Sequence, residues 1–261
     1  MTIISVHSFR GGSGKSNTVA NLAVLIAQRG QRVGVVDTDI QSPGIHVLFG
    51  LRAEDISASL NDYLWGRTEI TECARQVFEG ESGGAVFLVP ASMKANEIVQ
   101  VLRQGYDIRR LPEAFSELAQ ALKLDVIFID THPGLNEEAL LVLAVSSTVV
   151  IVLRPDEQDY EGTATAVEVA RSLEVPRIML ILNQAPASLD AAGARVSLQK
   201  TFNCEVAAIL YHSDRMMELA SREVFARKYP SDPITLALEA VVDELMKANP
   251  AHVPEPGVGN G

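Results

Sequence analysis

The run Gly11-Gly12-Ser13-Gly14-Lys15-Ser16-Asn17 packs three glycines, a lysine and two hydroxyls into seven positions. Glycines let successive backbone N–H groups turn inward around an anion, and a helix starting there adds the positive end of its dipole. In such a cradle Lys15 reaches the outer phosphates of a nucleotide, the Ser16 hydroxyl suits Mg2+, and Asn17 continues the contact into the helix. The ordinary spacing GxxxxGK[ST] is not met, because its first glycine would fall on Phe9. The matching pattern is the variant with a glycine pair directly before xGK[ST], preceded here by Arg10.

Three carboxylates stand where a metal-assisted reaction at that cradle would need them. Asp37 and Asp39 close the Val-rich run 32–37, and the two-residue period of a strand sets both on one side. Asp130 ends the almost wholly apolar run 125–130, and a carboxylate at the end of a buried strand needs a partner such as a hydrated cation.

Positioning these groups requires strands that deliver them to one edge of a sheet. Short Val- and Ile-rich runs at 3–7, 32–37, 85–90, 125–130, 149–153, 177–182 and 205–210 read as buried strands. Helical patterns at 15–29, 112–123, 136–145, 159–173, 190–201 and 234–247 alternate with them. The alternation predicts a single doubly wound α/β domain over 1–248, with a mostly parallel sheet of about seven strands and helices on both faces. Residues 57–79 read as a helical insertion, and the composition of 249–261 is that of a disordered tail.

Composition narrows the function classes. The chain has 261 residues, 47% of them apolar, so it can bury a large core and is not disordered as a whole. A net charge of −11 argues against holding nucleic acid by general basicity. Cys73 and Cys204 form no CxxC and read as two buried thiols rather than a disulfide framework or zinc site. The N-terminus lacks the pattern of a signal peptide, and the apolar run 139–153 is too short to span a bilayer, so a soluble cytoplasmic protein is expected.

The glycine loop, Val36-Asp37-Thr38-Asp39 and Ile129-Asp130-Thr131-His132-Pro133-Gly134 together resemble the ParA/MinD family of deviant Walker A ATPases, over nearly the whole chain. The resemblance implies ATP and Mg2+ as ligands, and a homodimer that closes on ATP and opens on hydrolysis. It implies that Asp39 orients the attacking water, that Asp37, Asp130 and Ser16 hold Mg2+, and that Gly134 offers its N–H to the γ-phosphate. It also implies that Asn183 contacts adenine, and no [NT]KxD guanine reader follows that strand. The family has lysine where this chain has Arg10; the residue is expected to reach the partner's nucleotide, as an arginine finger does. The family places no general base at His132.

The resemblance further implies an activating partner protein and a cargo adaptor, as in the positioning of plasmids, division sites or large complexes. A relative of a different kind would be a nucleotide-gated adaptor controlling flagellar or pilus machinery. Absent features exclude some relatives: no cysteines flank the switch, no C-terminal CxxC exists and the tail holds no tyrosine cluster. The terminal helix carries Glu239, Asp243 and Glu244 against Lys247, which disfavours an anionic membrane, and its Leu236, Ala240, Val241 and Leu245 are expected to face the sheet. Residues 215–228 hold Arg215, Arg222, Arg227 and Lys228 against two acids. This modest patch leaves two readings open, solvated helix faces or a contact to non-specific DNA.

Overall fold

The Val- and Ile-rich runs form strands covered on both faces, as near-continuous apolar segments require. The computed structural model describes residues 1–247, in which eight strands make one sheet: β1 Thr2–His7, β2 Arg32–Asp37, β3 Arg75–Glu79, β4 Ala85–Val89, β5 Val126–Asp130, β6 Thr148–Leu153, β7 Arg177–Ala185 and β8 Glu205–Tyr211. Their order is β3-β4-β2-β5-β1-β6-β7-β8, and every pairing is parallel except β3 with β4.

β3 corrects the expected all-helical insertion at 57–79. Its sequence, Arg-Gln-Val-Phe-Glu, has only two apolar residues because one side faces solvent at the sheet edge, and a bulge breaks its register with β4 between Gln76 and Phe78. The insertion begins as the helical turns Leu60–Leu64 and Ile70–Cys73, whose Leu60, Tyr63, Leu64, Ile70 and Cys73 are buried. A helix at Ala95–Gln104, absent from the sequence reading, follows β4.

One face of the sheet is covered by the helices Lys15–Gln28 and Pro233–Met246. The first is buried nearly all round, and its buried Asn21 accepts the Ala226 N–H at 2.6 Å, tying it to the turn at Phe225–Lys228. In the terminal helix Ile234, Leu238, Val241, Val242 and Leu245 pack inward. Leu236 and Ala240 face outward, contrary to expectation, because the true stripe follows the i, i+4, i+7, i+8 row from Ile234. The opposite face carries Leu111–Leu122 over the β4–β2–β5 half and Glu157–Ser172 with Ala191–Phe202 over the β6–β7–β8 half.

Cys73 is buried and Cys204 only half-buried. Among the described residues no helix is long and apolar enough to cross a membrane. The segment 249–261, read from composition as a disordered tail, lies outside the described residues.

Candidate functional site

β1 is the switch point of the sheet, since the chain leaves it for β2 on one side and later returns to β6 on the other. Open α/β sheets bind ligands at the carboxyl ends of strands at such a point. The glycine loop stands there, between β1 and the helix Lys15–Gln28. Gly14 is its pivot: its φ of +97° suits only glycine, and a Cβ on it would come within 2.4 Å of Asn183 Nδ2. The loop is braced from the far strand, where Asn183 Nδ2 donates to Ser13 O at 2.8 Å and Gln184 Nε2 donates to Gly12 O at 3.1 Å. Lys15 is 7% exposed; burial lowers its pKa, against the opposing pull of Asp130 and Asp39.

β2 and β5 are neighbours, and their register sets Asp37 directly beside Asp130. Both side chains are fully enclosed, and Asp37 Oδ2 and Asp130 Oδ1 have no hydrogen-bond partner, nor has the buried Ser13 Oγ. Burial, then the nearby carboxylates Asp130 and Asp39, push Asp37 well above the ordinary carboxylate range. Burial lifts Asp130 to about 6 despite the Ser16 hydroxyl and the Lys15 ammonium. Two enclosed carboxylates with bare oxygens, facing a serine hydroxyl, form a donor set that fits a hydrated divalent cation shared with phosphate oxygens. No cluster of three or more His, Cys, Asp or Glu suited to an all-protein metal cage exists among the described residues.

Asp39 lies just past β2, with its N–H on Asp37 Oδ1 at 3.1 Å. His132 Nδ1 sits 2.7 Å from Asp39 Oδ1, a contact the sequence reading did not foresee. His7, at the end of β1, is fully buried. Its Nδ1 lies 2.8 Å from the Thr131 hydroxyl, which donates its one proton to Val6 O at 3.0 Å. His7 Nδ1 is therefore the donor, and Nε2 is a bare, buried acceptor. Burial, with the Lys15 ammonium next, lowers the His7 pKa to about 3.

Gly134, at φ +85°, donates its N–H to Ser8 O at 3.0 Å. Arg10 is 41% exposed and lies 3.6 Å from Asp156 and 3.7 Å from Asp159 of its own chain. Asp159 is buried and also accepts from the Arg154 side chain and N–H. Phe9 rests on Gly162, where a Cβ would meet the ring at 2.1 Å. Gly11, Lys15, Ser16, Asn17 and Asp39 line one cleft of about 430 Å3, and Gly14, Asn17 and Asn183 continue into a second of about 360 Å3. The second is closed by Tyr211, His212, Met216 and Met217, all missed from the sequence, where only the polar break after the strand at 205–210 hinted at them. In the basic stretch Arg215 pairs with Asp232 at 3.1 Å, and Arg227 and Lys228 each lie 3.8 Å from Glu223, so much of its charge is spent locally.

Residues 1–176 match the family model described as an AAA domain. An uncharacterized ATP-binding protein of Methanocaldococcus jannaschii is 23% identical over 94% of this chain and 88% of its own length. The antiactivator FleN of Pseudomonas aeruginosa is 24% identical over 95% of this chain and 89% of its own. Among solved structures, the septum site-determining protein MinD of Pyrococcus horikoshii, in complex with Mg-ADP, superposes with a TM-score of 0.78 at 23% identity, covering 94% of this chain and 96% of that one. The fold is that of the MinD and ParA structures, and the chain belongs to the family whose model is described as an AAA domain.

Proposed function

We propose that this chain is an ATPase switch: ATP and Mg2+ close two copies face to face, and hydrolysis releases them. The observation that carries the reading is the meeting of the glycine cradle with the two bare carboxylate oxygens of Asp37 and Asp130. Cradle N–H groups from Gly11 to Asn17 and the Lys15 ammonium would hold the phosphates, while Ser16, Asp37 and Asp130 would hold the cation. Bound Mg2+ and ATP supply phosphoryl transfer to water with the phosphate charge neutralised. Asp39 orients and accepts a proton from the attacking water. Asn183 braces the cradle from the base side of the cleft, beside the pocket closed by Tyr211 and Met217.

Two groups must move in the cycle. Gly134 N–H leaves Ser8 O to meet the γ-phosphate, which makes 132–136 the sensing switch. Arg10 leaves Asp156 and Asp159 to reach the partner's nucleotide, so its own chain competes for it. An activating protein and a cargo adaptor would read the closed dimer in the cytoplasm. Non-specific DNA is one surface the dimer could hold, through Arg215, Arg222, Arg227 and Lys228.

A second reading, a nucleotide-gated regulatory adaptor without DNA binding, is favoured by the local pairing of Arg215, Arg227 and Lys228 and by the similarity to FleN. Steady-state hydrolysis and nucleotide titration test the ATPase reading. Lys15→Ala should lose nucleotide, and Arg10→Ala should bind ATP without dimerising. Turnover by Lys15→Ala at the wild-type rate overturns it. Co-sedimentation of the ATP-bound protein with DNA at low and moderate salt separates the two roles.

A further inference from the structure

Asp39 and His132 each stand two residues beyond an aligned pair of strand ends, Asp37 on β2 and Asp130 on β5. Their side chains therefore meet at the mouth of the cleft, with His132 Nδ1 2.7 Å from Asp39 Oδ1. An ionised carboxylate only accepts, so the imidazole carries a hydrogen on Nδ1 and donates it. The same Oδ1 accepts the Ser42 N–H at 3.1 Å. Two donors thus hold one oxygen of Asp39, while Oδ2 has no protein partner among the described residues. Asp39 lines the cleft together with Gly11, Lys15 and Ser16.

We propose that His132 is a positioning residue for Asp39: it clamps Oδ1 so that Oδ2 is presented to the attacking water. The terminal torsion of an aspartate is broad, so a carboxylate left to itself samples many orientations, and a fixed one avoids that loss at the moment of reaction. A base held by a third group is the arrangement that makes other activated nucleophiles effective. His132 neither gains nor loses a proton in this role; the water's proton goes to Asp39. The inference rests on the proposed role of Asp39 in hydrolysis.

The clamp is tested first without nucleotide. Nitrogen-15 NMR of the free protein at pH 8 should show, besides the Nδ1–H imidazole of His7, a second imidazole in that tautomer that vanishes in His132→Asn and changes in Asp39→Ala, because the hydrogen-bond partner selects the tautomer. With Mg-ATP, His132→Ala should lower kcat at least about tenfold at unchanged KM and unchanged urea midpoint. His132→Asn keeps an N–H donor near the Nδ1 position and should retain most of the rate. In the Asp39→Ala background, His132→Ala should cost nothing more. A His132→Ala rate within about twofold of wild type beside an inactive Asp39→Ala, or no Nδ1–H signal that His132→Asn removes, overturns the clamp alone. Normal hydrolysis by Asp39→Ala overturns the role of Asp39, and the clamp with it.

Discussion

Asp130→Asn should make the nucleotide-free protein more stable at neutral pH. Burial raises the Asp130 carboxyl from 3.8 to about 6, even with the Ser16 hydroxyl and the Lys15 ammonium pulling it down. A shift of that size means that ionised Asp130 costs the folded state about 3 kcal/mol. The folded pKa lies above the unfolded one, so the associated stability is complete below about pH 4 and is lost as pH rises through about 6. Asp37 is displaced in the same direction and is beside Asp130 in the register, so removing one charge also relieves the other. An amide of the same shape carries no such cost. Urea unfolding in EDTA should show a gain approaching about 3 kcal/mol at pH 7 that shrinks toward zero near pH 4. Saturating Mg-ATP should reverse the order, because the wild type binds the ligand better and is stabilised by that binding. An Asp130→Asn protein no more stable than wild type at pH 7 would refute the reasoning that these two carboxylates strain the protein when no nucleotide or cation is supplied.

Three further outcomes follow from the same geometry. His7 has a folded pKa of about 3 against 6.5 unfolded, so it takes stability away as pH falls below 6.5, at about 1.4 kcal/mol per pH unit at most; urea midpoints of His7→Asn should lose that acid-side decline. Gly14→Ala forces a side chain onto a φ of +97° and against Asn183, breaking its bond to Ser13 O, and should cost about 2–3 kcal/mol together with most of the nucleotide affinity measured by titration. Gly162→Ala gains about 1 kcal/mol of helix propensity but drives a Cβ into the Phe9 ring, so thermal unfolding should show net destabilisation of about 1 kcal/mol that Phe9→Ala relieves.

The cradle was legible because its chemistry is local: glycines, lysine and serine in consecutive positions, with a strand before and a helix after. The interior strands were legible for a similar reason, since burial on both faces leaves an unbroken apolar run. The edge strand β3 was not, because half of its residues face water and the preceding helical turns mask it. The face of the terminal helix was misread by taking Leu236 as inward on hydrophobicity alone, although the row from Ile234 to Leu245 buries more apolar surface. Contacts that depend on sheet order lay beyond reach. Asp37 and Asp130 are 93 residues apart in the chain and become neighbours only when β2 pairs with β5. The same pairing brings His132 to Asp39, and the pairing of β7 with β8 brings Tyr211 near Ala185, where it lines the second cleft with Asn183.

The central claim, that ATP closes two copies and hydrolysis opens them, is tested most directly by the mass of Asp39→Ala in solution. Light scattering should report a dimer with Mg-ATP and a monomer with Mg-ADP, because on the proposed reading this variant keeps the cradle, the residues that would hold the cation and Arg10, and loses the group that would orient water. A monomer in both states, or a dimer that ignores the nucleotide, would contradict the account.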